Sequence, residues 1–297
     1  MASGNTVLFV GGHETGKSNY LIRFWLAIRD KEDGMLRPNG LPDDLEYLNA
    51  GADALLGGNF FGRTNEPIAA MCEIPLLVSG DPSTLLLPDF KGEKWVQIYK
   101  DRRWPSDWSQ LITKETTFLV FVRALFDQNV PQLDWQTLEQ FYGAGSNLDP
   151  SIPKPKMSEE PPTQVVLVDW IQTLLGLYRS VGGPAVKPKI GIVVTAWDRL
   201  SDSEQAAGPS VYLRQEFRLL SDFLQSNRER FETKNFGVSI VGGDLRDDLE
   251  YRDKFLDSIN GHAAGYVWHE LQGRPEKSSN LALPVAWALS RAGNKLA

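Results

Sequence analysis

Residues 7–20 read VLFVGGHETGKSNY. An apolar run stops at two glycines, and Gly11-xxxx-Gly16-Lys17-Ser18 completes the phosphate-loop pattern GxxxxGK[ST]. The flanks decide whether the pattern has its physical context. Thr6 to Val10 is rich in β-formers and predicts a first buried parallel strand over 6–11. Ser18 to Arg29 carries Leu21, Trp25 and Ile28 at helical spacing and predicts a helix over 17–30. A glycine turn between strand and helix lets the backbone wrap an anion with its N–H groups inward, and the helix start adds positive partial charge. The candidate nucleotide contacts are therefore Gly11, Gly12, His13, Glu14, Thr15, Gly16, Lys17, Ser18 and Asn19. Lys17 would reach the β- and γ-phosphates and Ser18 would ligate Mg²⁺.

The whole chain bounds the rest. It has 297 residues, 42% hydrophobic and 23% charged, enough for an elaborated α/β domain with a sizeable core. A net charge of -7 argues against a nucleic-acid binder, which needs a basic face. The one cysteine, Cys72, excludes an internal disulfide, fits a reducing compartment and reads as a small buried apolar residue. The start lacks a basic, apolar leader, and no segment approaches the ~18 apolar residues of a membrane span. The expectation is a cytoplasmic protein.

Further along, apolar strands end in polar signals. STLLLPDFKGE places Asp89 at a strand end and Gly92 three residues on. KIGIVVTAWDRL is another buried strand, ending in Thr195-Ala196-Trp197-Asp198, and NFGVSIVGGD is a last strand ending at Gly242-Gly243. The predicted order is strand 6–11, helix 17–30, helical segment 42–57, strands 69–78 and 83–88, loop 89–110 and strand 117–123. After a Pro-rich stretch come helix 163–181, strand 189–195, helix 209–231, strand 236–241 and a helix near 283–292. The turn SGDP makes 69–78 and 83–88 a hairpin. The fold expected is an α/β, doubly wound, mostly parallel six-stranded sheet with one antiparallel strand and helical insertions. The chain reads as one domain over 1–297, with insertions at about 31–62 and 125–162. All motifs fall at the carboxyl ends of strands, where ligands of such sheets bind.

The order GxxxxGKS, DFKGE, TAWD resembles that of the TRAFAC class, the Ras-like and translation-factor-like P-loop GTPases. The combination of GGHETGKS with TAWD is similar to the bacterial double-GTPase proteins of conflict and signalling systems. The resemblance implies GTP and GDP as ligands, Mg²⁺ as cofactor, and a switch acting on a protein partner or a second GTPase chain. It implies that Asp89 supports the metal, Gly92 meets the γ-phosphate, and a switch threonine, best matched by Thr64, completes the metal shell. Asp198 would accept two hydrogen bonds from guanine, with Thr195 before it and Trp197 shielding the base. Gly242 or Gly243 would offer a backbone N–H to guanine O6. The usual lysine of the guanine element is Ala196 here.

Where related switches carry a water-orienting Gln, Glu93 follows Gly92, so slow hydrolysis is expected, with Lys17, Glu93 and His13 as candidate catalytic groups. Arg63, Arg102 and Arg103 are candidates for charge neutralisation. Trp95, Tyr99, Trp104 and Trp108 gather in the switch region, as core or as a state-dependent surface. The nearly apolar helix 163–181 reads as buried, Asp149–Pro162 as a loop, and Asp244–Asp253 as an acidic turn or helix end. His262 and His269 lack the partners of a zinc site. Two other readings stay open: a nucleotide-holding scaffold without turnover, and a general P-loop ATPase or NTPase.

Overall fold

The fold is seen in a computed structural model, which describes residues 5–29, 36–62, 71–88, 92–126, 129, 161–182, 187–257 and 264–290. Thr64, Arg63, Asp89, His262 and nearly all of the 125–162 insertion lie outside them. The side chains of Glu93 and Trp108 also lie outside the described set.

Five parallel strands form the centre of the sheet. These are β1 (Asn5–Val10), β4 (Asp81–Pro88), β5 (Thr116–Arg123), β6 (Lys189–Thr195) and β7 (Glu232–Ser239). β2 (Leu36–Pro38) and β3 (Met71–Val78) extend one side, and β8 (Tyr266–Leu271) and β9 (Arg274–Ser278) the other. The order is β2-β3-β4-β1-β5-β6-β7-β8-β9. Among the described residues the predicted six-stranded sheet is therefore corrected to nine strands, and the single antiparallel strand to two, β3 and β8. The predicted 69–78/83–88 hairpin is β3–β4, paired antiparallel from Met71–Pro88 to Val78–Asp81.

Period-two alternation in the central strands sends side chains to two separate cores. Val7, Phe9, Leu119, Phe121 and Val193 face one side. There they meet α1 (Lys17–Ile28), α2 (Leu45–Leu56) and the last helix, Leu283–Leu289. Leu8, Val10, Val120, Val122, Ile192 and Val194 face the other. That side is covered by α3 (Gly92–Asp101), α5 (Thr163–Gly182), α7 (Pro209–Glu216) and α8 (Arg218–Ser226). The short α4 (Ser106–Ser109) and α6 (Asp202–Ala207) sit in the connections, and α9 (Leu249–Asp257) follows the loop after β7. The expected helix 209–231 is thus two helices. Phe217 leaves helical geometry at φ -127° and is buried, its ring 6.2 Å from that of Tyr212.

The last helix, α10 (Leu283–Leu289), lies against the amino ends of the strands, opposite the motifs. A helix leaves its final carbonyls without intrahelical partners, and three neighbouring strands supply them. Asn5 of β1 donates to Leu289 O at 3.2 Å and Thr117 of β5 to Ala288 O at 2.9 Å. Lys189 of β6, 8% exposed, donates to Trp287 O at 3.2 Å and also to Ser290 O. Trp287 O keeps bonds from Ser290 N and Oγ, so removing the ammonium takes its donor from Ser290 O, at about 1–3 kcal/mol for the group left unpaired. Lys189→Ala is expected to lower the urea midpoint accordingly with an unchanged slope; a midpoint equal to wild type would show the bonds to be unimportant.

Candidate nucleotide-binding site

The phosphate loop is shaped by left-handed residues. Glu14 has φ 56° and Gly16 φ 84°, and Gly16 is the N-cap of α1 without a side-chain cap. This alternation turns successive N–H groups toward one centre, an anion-binding nest at a helix N-terminus. Glu14 holds a conformation rare for a residue with a side chain, and such strain concentrates at functional sites. Its carboxylate is exposed and lies 3.7 Å from His13 Nδ1, itself solvent-accessible, so Glu14 can address an anion through its main chain only. Lys17 Nζ donates to Gly11 O and Gly12 O, both at 2.6 Å, and to Thr15 Oγ1 at 3.2 Å. The cation is held inside the loop. Ser18 follows in the first turn of α1, partly exposed.

Several residues expected to touch nucleotide instead shape the site. Thr195 is 5% exposed and its hydroxyl donates to Thr15 O at 2.8 Å, with Val122 O at 3.2 Å. It anchors the phosphate loop to β6 rather than offering its side chain to a ligand. Asn19 binds the backbone of Phe61 at both ends of its amide, donating to Phe61 O at 3.1 Å and accepting from Phe61 N at 2.9 Å. That fastens α1 to the chain leading toward Thr64. Trp197 is fully buried, and a side chain at Gly237 would overlap its ring. Its indole also meets Tyr212 edge-on at 5.4 Å, so it is a core residue, not a cover for a base.

Asp198 follows Ala196, whose left-handed φ of 54° turns the chain at the end of β6. Desolvation pushes the Asp198 carboxyl above the usual carboxylate range, and the nearby Asp244 adds to this. A hydrogen bond from Ser239 works the other way, favouring the ionised form. Ser239, at the end of β7, is fully buried. Its Oγ also accepts from Gly242 N at 2.8 Å, so the Gly242 N–H is already engaged, contrary to its expected role on guanine. Ser239 is a residue that motif reading missed. Only its place at a strand end, beside the glycine pair, hinted at it.

On the α3 side, Gly92 opens the helix and Glu93 is its second residue. Trp95 is fully buried, with ring centroids 5.8 Å from Trp104 and 4.8 Å from Trp170. Trp170, on α5, reaches the phosphate loop: a Cβ at Gly12 would lie 3.7 Å from its Cη2. Core packing is thus the reading for Trp95. Arg102 is ion-paired with Asp169 of α5 and stacks 4.6 Å over Tyr99, while Arg103 is exposed.

The sequence profile of the Double-GTPase 1 family matches residues 8–288. The chain belongs to the Double-GTPase 1 family. That membership makes it a GTP-binding protein with the P-loop GTPase arrangement of motifs. No curated protein matches the sequence. Among solved structures, the signal recognition particle receptor SRb-GTP/SRX complex from Chaetomium thermophilum is similar over 86% of this chain and 98% of that chain, at 12% identity and a TM-score of 0.39. Among the described residues, no helix of this Double-GTPase 1 chain is long and apolar enough to cross a membrane. Among them, too, no group of three His, Cys, Asp or Glu could hold a metal ion. Of the expected Mg²⁺ ligands, Ser18 alone is described. Its hydroxyl, with the carboxylate of Asp89 and the hydroxyl of Thr64, is a hard-oxygen set of the type Mg²⁺ takes.

Proposed function

We propose that this chain is a Mg²⁺-dependent guanine-nucleotide switch that hydrolyses GTP slowly and regulates a protein partner in a bacterial conflict or signalling system. It works as one domain over 1–297, with insertions at about 31–62 and 125–162. One observation carries the reading: Thr195 ties the phosphate loop to the turn that holds Asp198, a desolvated carboxylate three residues on. A desolvated carboxylate beside a phosphate cradle suits a base edge with two donors. Guanine has one in its N1–H and amine; adenine does not. A site built for that pair leaves its carboxylate unpaired with the wrong base, which discriminates strongly.

The roles then follow. Lys17 and the loop N–H groups hold the β- and γ-phosphates. Ser18, Thr64 and Asp89 hold Mg²⁺, which supplies charge neutralisation on the phosphates. Gly92 senses the γ-phosphate, and Gly243 offers the N–H toward guanine O6. Glu93 and His13 are the groups near the attacking water, and a carboxylate there repels the γ-phosphate, which keeps intrinsic turnover slow. The test is calorimetric titration of nucleotide-free protein with GDP, GTP and ATP in Mg²⁺. The guanine nucleotides are expected to bind, with ATP about 100-fold weaker or more. Equal binding of ATP would overturn the guanine reading. Glu93 also favours a second reading, a scaffold that binds without turnover, and single-turnover phosphate release separates the two.

A further inference from the structure

We infer that Tyr251, on α9, is a positioning residue for guanine recognition: it braces the Val241–Gly243 turn against which the base would lie. The inference rests on the guanine reading above. The turn has no room for side chains on the α9 side. A Cβ at Gly242 would lie 2.8 Å from Tyr251 Oη, and one at Gly243 2.7 Å from Tyr251 Cζ. Gly242 has φ 89°, a conformation that favours glycine in any case. The Tyr251 hydroxyl donates to Val241 O at 2.6 Å. The ring therefore supports two glycines while its hydroxyl holds the carbonyl before them.

Tyr251 is itself held at its main chain, and Arg23 of α1 is buried within electrostatic range of it. Asp248 caps the start of α9 by accepting from Tyr251 N at 2.9 Å. From α1, Arg23 is 1% exposed and donates to Ala264 O, just before β8. Burial lowers the Arg23 pKa to about 10, with Tyr251 acting in the opposite sense. The Tyr251 phenol is raised chiefly by desolvation and next by the charge of Asp198, with Arg23 opposing. A second tyrosine stands behind the segment that follows Asp198. Tyr266 donates to Gln205 Oε1 at 2.7 Å, and Gln205 Nε2 donates to Leu200 O at 2.8 Å, two residues past Asp198. The turn that would present an N–H to O6 is thus held by Tyr251 directly, and the segment after Asp198 by Tyr266 through Gln205.

The two turns would address different atoms of the base, and this makes the test specific. Guanine and hypoxanthine share O6; guanine alone carries the 2-amino group that Asp198 would read. Affinities for GDP, IDP and ADP are measured by calorimetry on wild type, Tyr251→Phe and Tyr251→Ala, with melting temperatures alongside. Tyr251→Phe keeps the ring and loses the bond to Val241. It is expected to weaken GDP and IDP together by about 3–10-fold, the worth of one hydrogen bond. Tyr251→Ala is expected to weaken both by about tenfold or more, with the GDP:IDP ratio preserved and the weak ADP binding unmoved. Loss of all three nucleotides in parallel from either variant, or GDP affinity unchanged in Tyr251→Phe, would overturn the role. If Tyr251→Ala does not fold, the Phe variant decides. A wild type that fails to prefer GDP over ADP would instead overturn the guanine reading itself.

Discussion

Lys17→Ala is expected to abolish measurable nucleotide binding, with a loss of about 100-fold or more for GDP and GTP alike. The magnitude follows from the geometry. The ammonium already makes three bonds inside the loop, to Gly11 O, Gly12 O and Thr15 Oγ1, so a phosphate need only replace carbonyls as its partners. Hydrogen bonds to charged groups contribute about 1.5–3 kcal/mol each, and Lys17 would reach two phosphates. The backbone nest alone cannot replace it in a chain of net charge -7. The measurement is calorimetry with GDP and GTP in Mg²⁺, with the melting temperature of the nucleotide-free protein as the check on folding. Micromolar binding retained by a folded variant would sink the cradle assignment.

The second large effect is expected at Asp198. In Asp198→Asn an amide replaces one carboxylate oxygen, so an N–H₂ faces the donors of guanine. Guanine preference over adenine should fall about 100-fold or more. Xanthine, which carries an oxygen in place of the 2-amine, should become the preferred base. The same change is expected to stabilise the nucleotide-free protein. The sign follows from the raised carboxyl pKa. Between its unfolded and folded pKa the folded state binds more protons, so ionisation at pH 7 costs folding free energy, and that cost fades as the pH falls through the folded value. An uncharged Asn removes it. The melting temperature of the empty variant should rise at pH 7 by about 2–4 °C for each kcal/mol relieved, and less at pH 4. A variant that still selects GDP, or that melts lower when empty, would contradict the role given to Asp198.

What the sequence made legible was local. The phosphate loop is a spacing, and its strand and helix follow from adjacent residues. β6 was read at its observed limits, Lys189–Thr195, because every residue of that strand is buried and the run is apolar throughout. β8 and β9 were missed because their pairing is an edge hairpin of mixed character. Arg274, Pro275, Glu276 and Lys277 are exposed, and the turn residues are Gln272 and Gly273, φ 52° and 79°, in place of a familiar Asn-Gly. Thr195, Asn19 and Trp197 show the other limit. Motif order located them beside the site, but nothing in the order tells a side chain that faces a ligand from one that faces the protein. Thr195 turns to Thr15, Asn19 to Phe61 and Trp197 to Gly237. Tyr251 and Ser239 carried no motif signal, since the groups each acts on, Val241 O for the one and Gly242 N and the Asp198 carboxyl for the other, are brought close only by the fold.

The seal at the amino ends of the strands sets an order of events during synthesis. Asn5 meets Leu289 across 284 positions and Thr117 meets Ala288 across 171. The phosphate loop is made long before residues 283–290, yet β1, which carries it, is fastened to them. Contacts this distant in sequence form late, and domains built on them fold slowly. A nascent chain lacking residues 283–290 would hold the cradle sequence without its finished sheet. Competence to bind nucleotide should therefore arise only once residues 283–290 have been made and packed under the sheet.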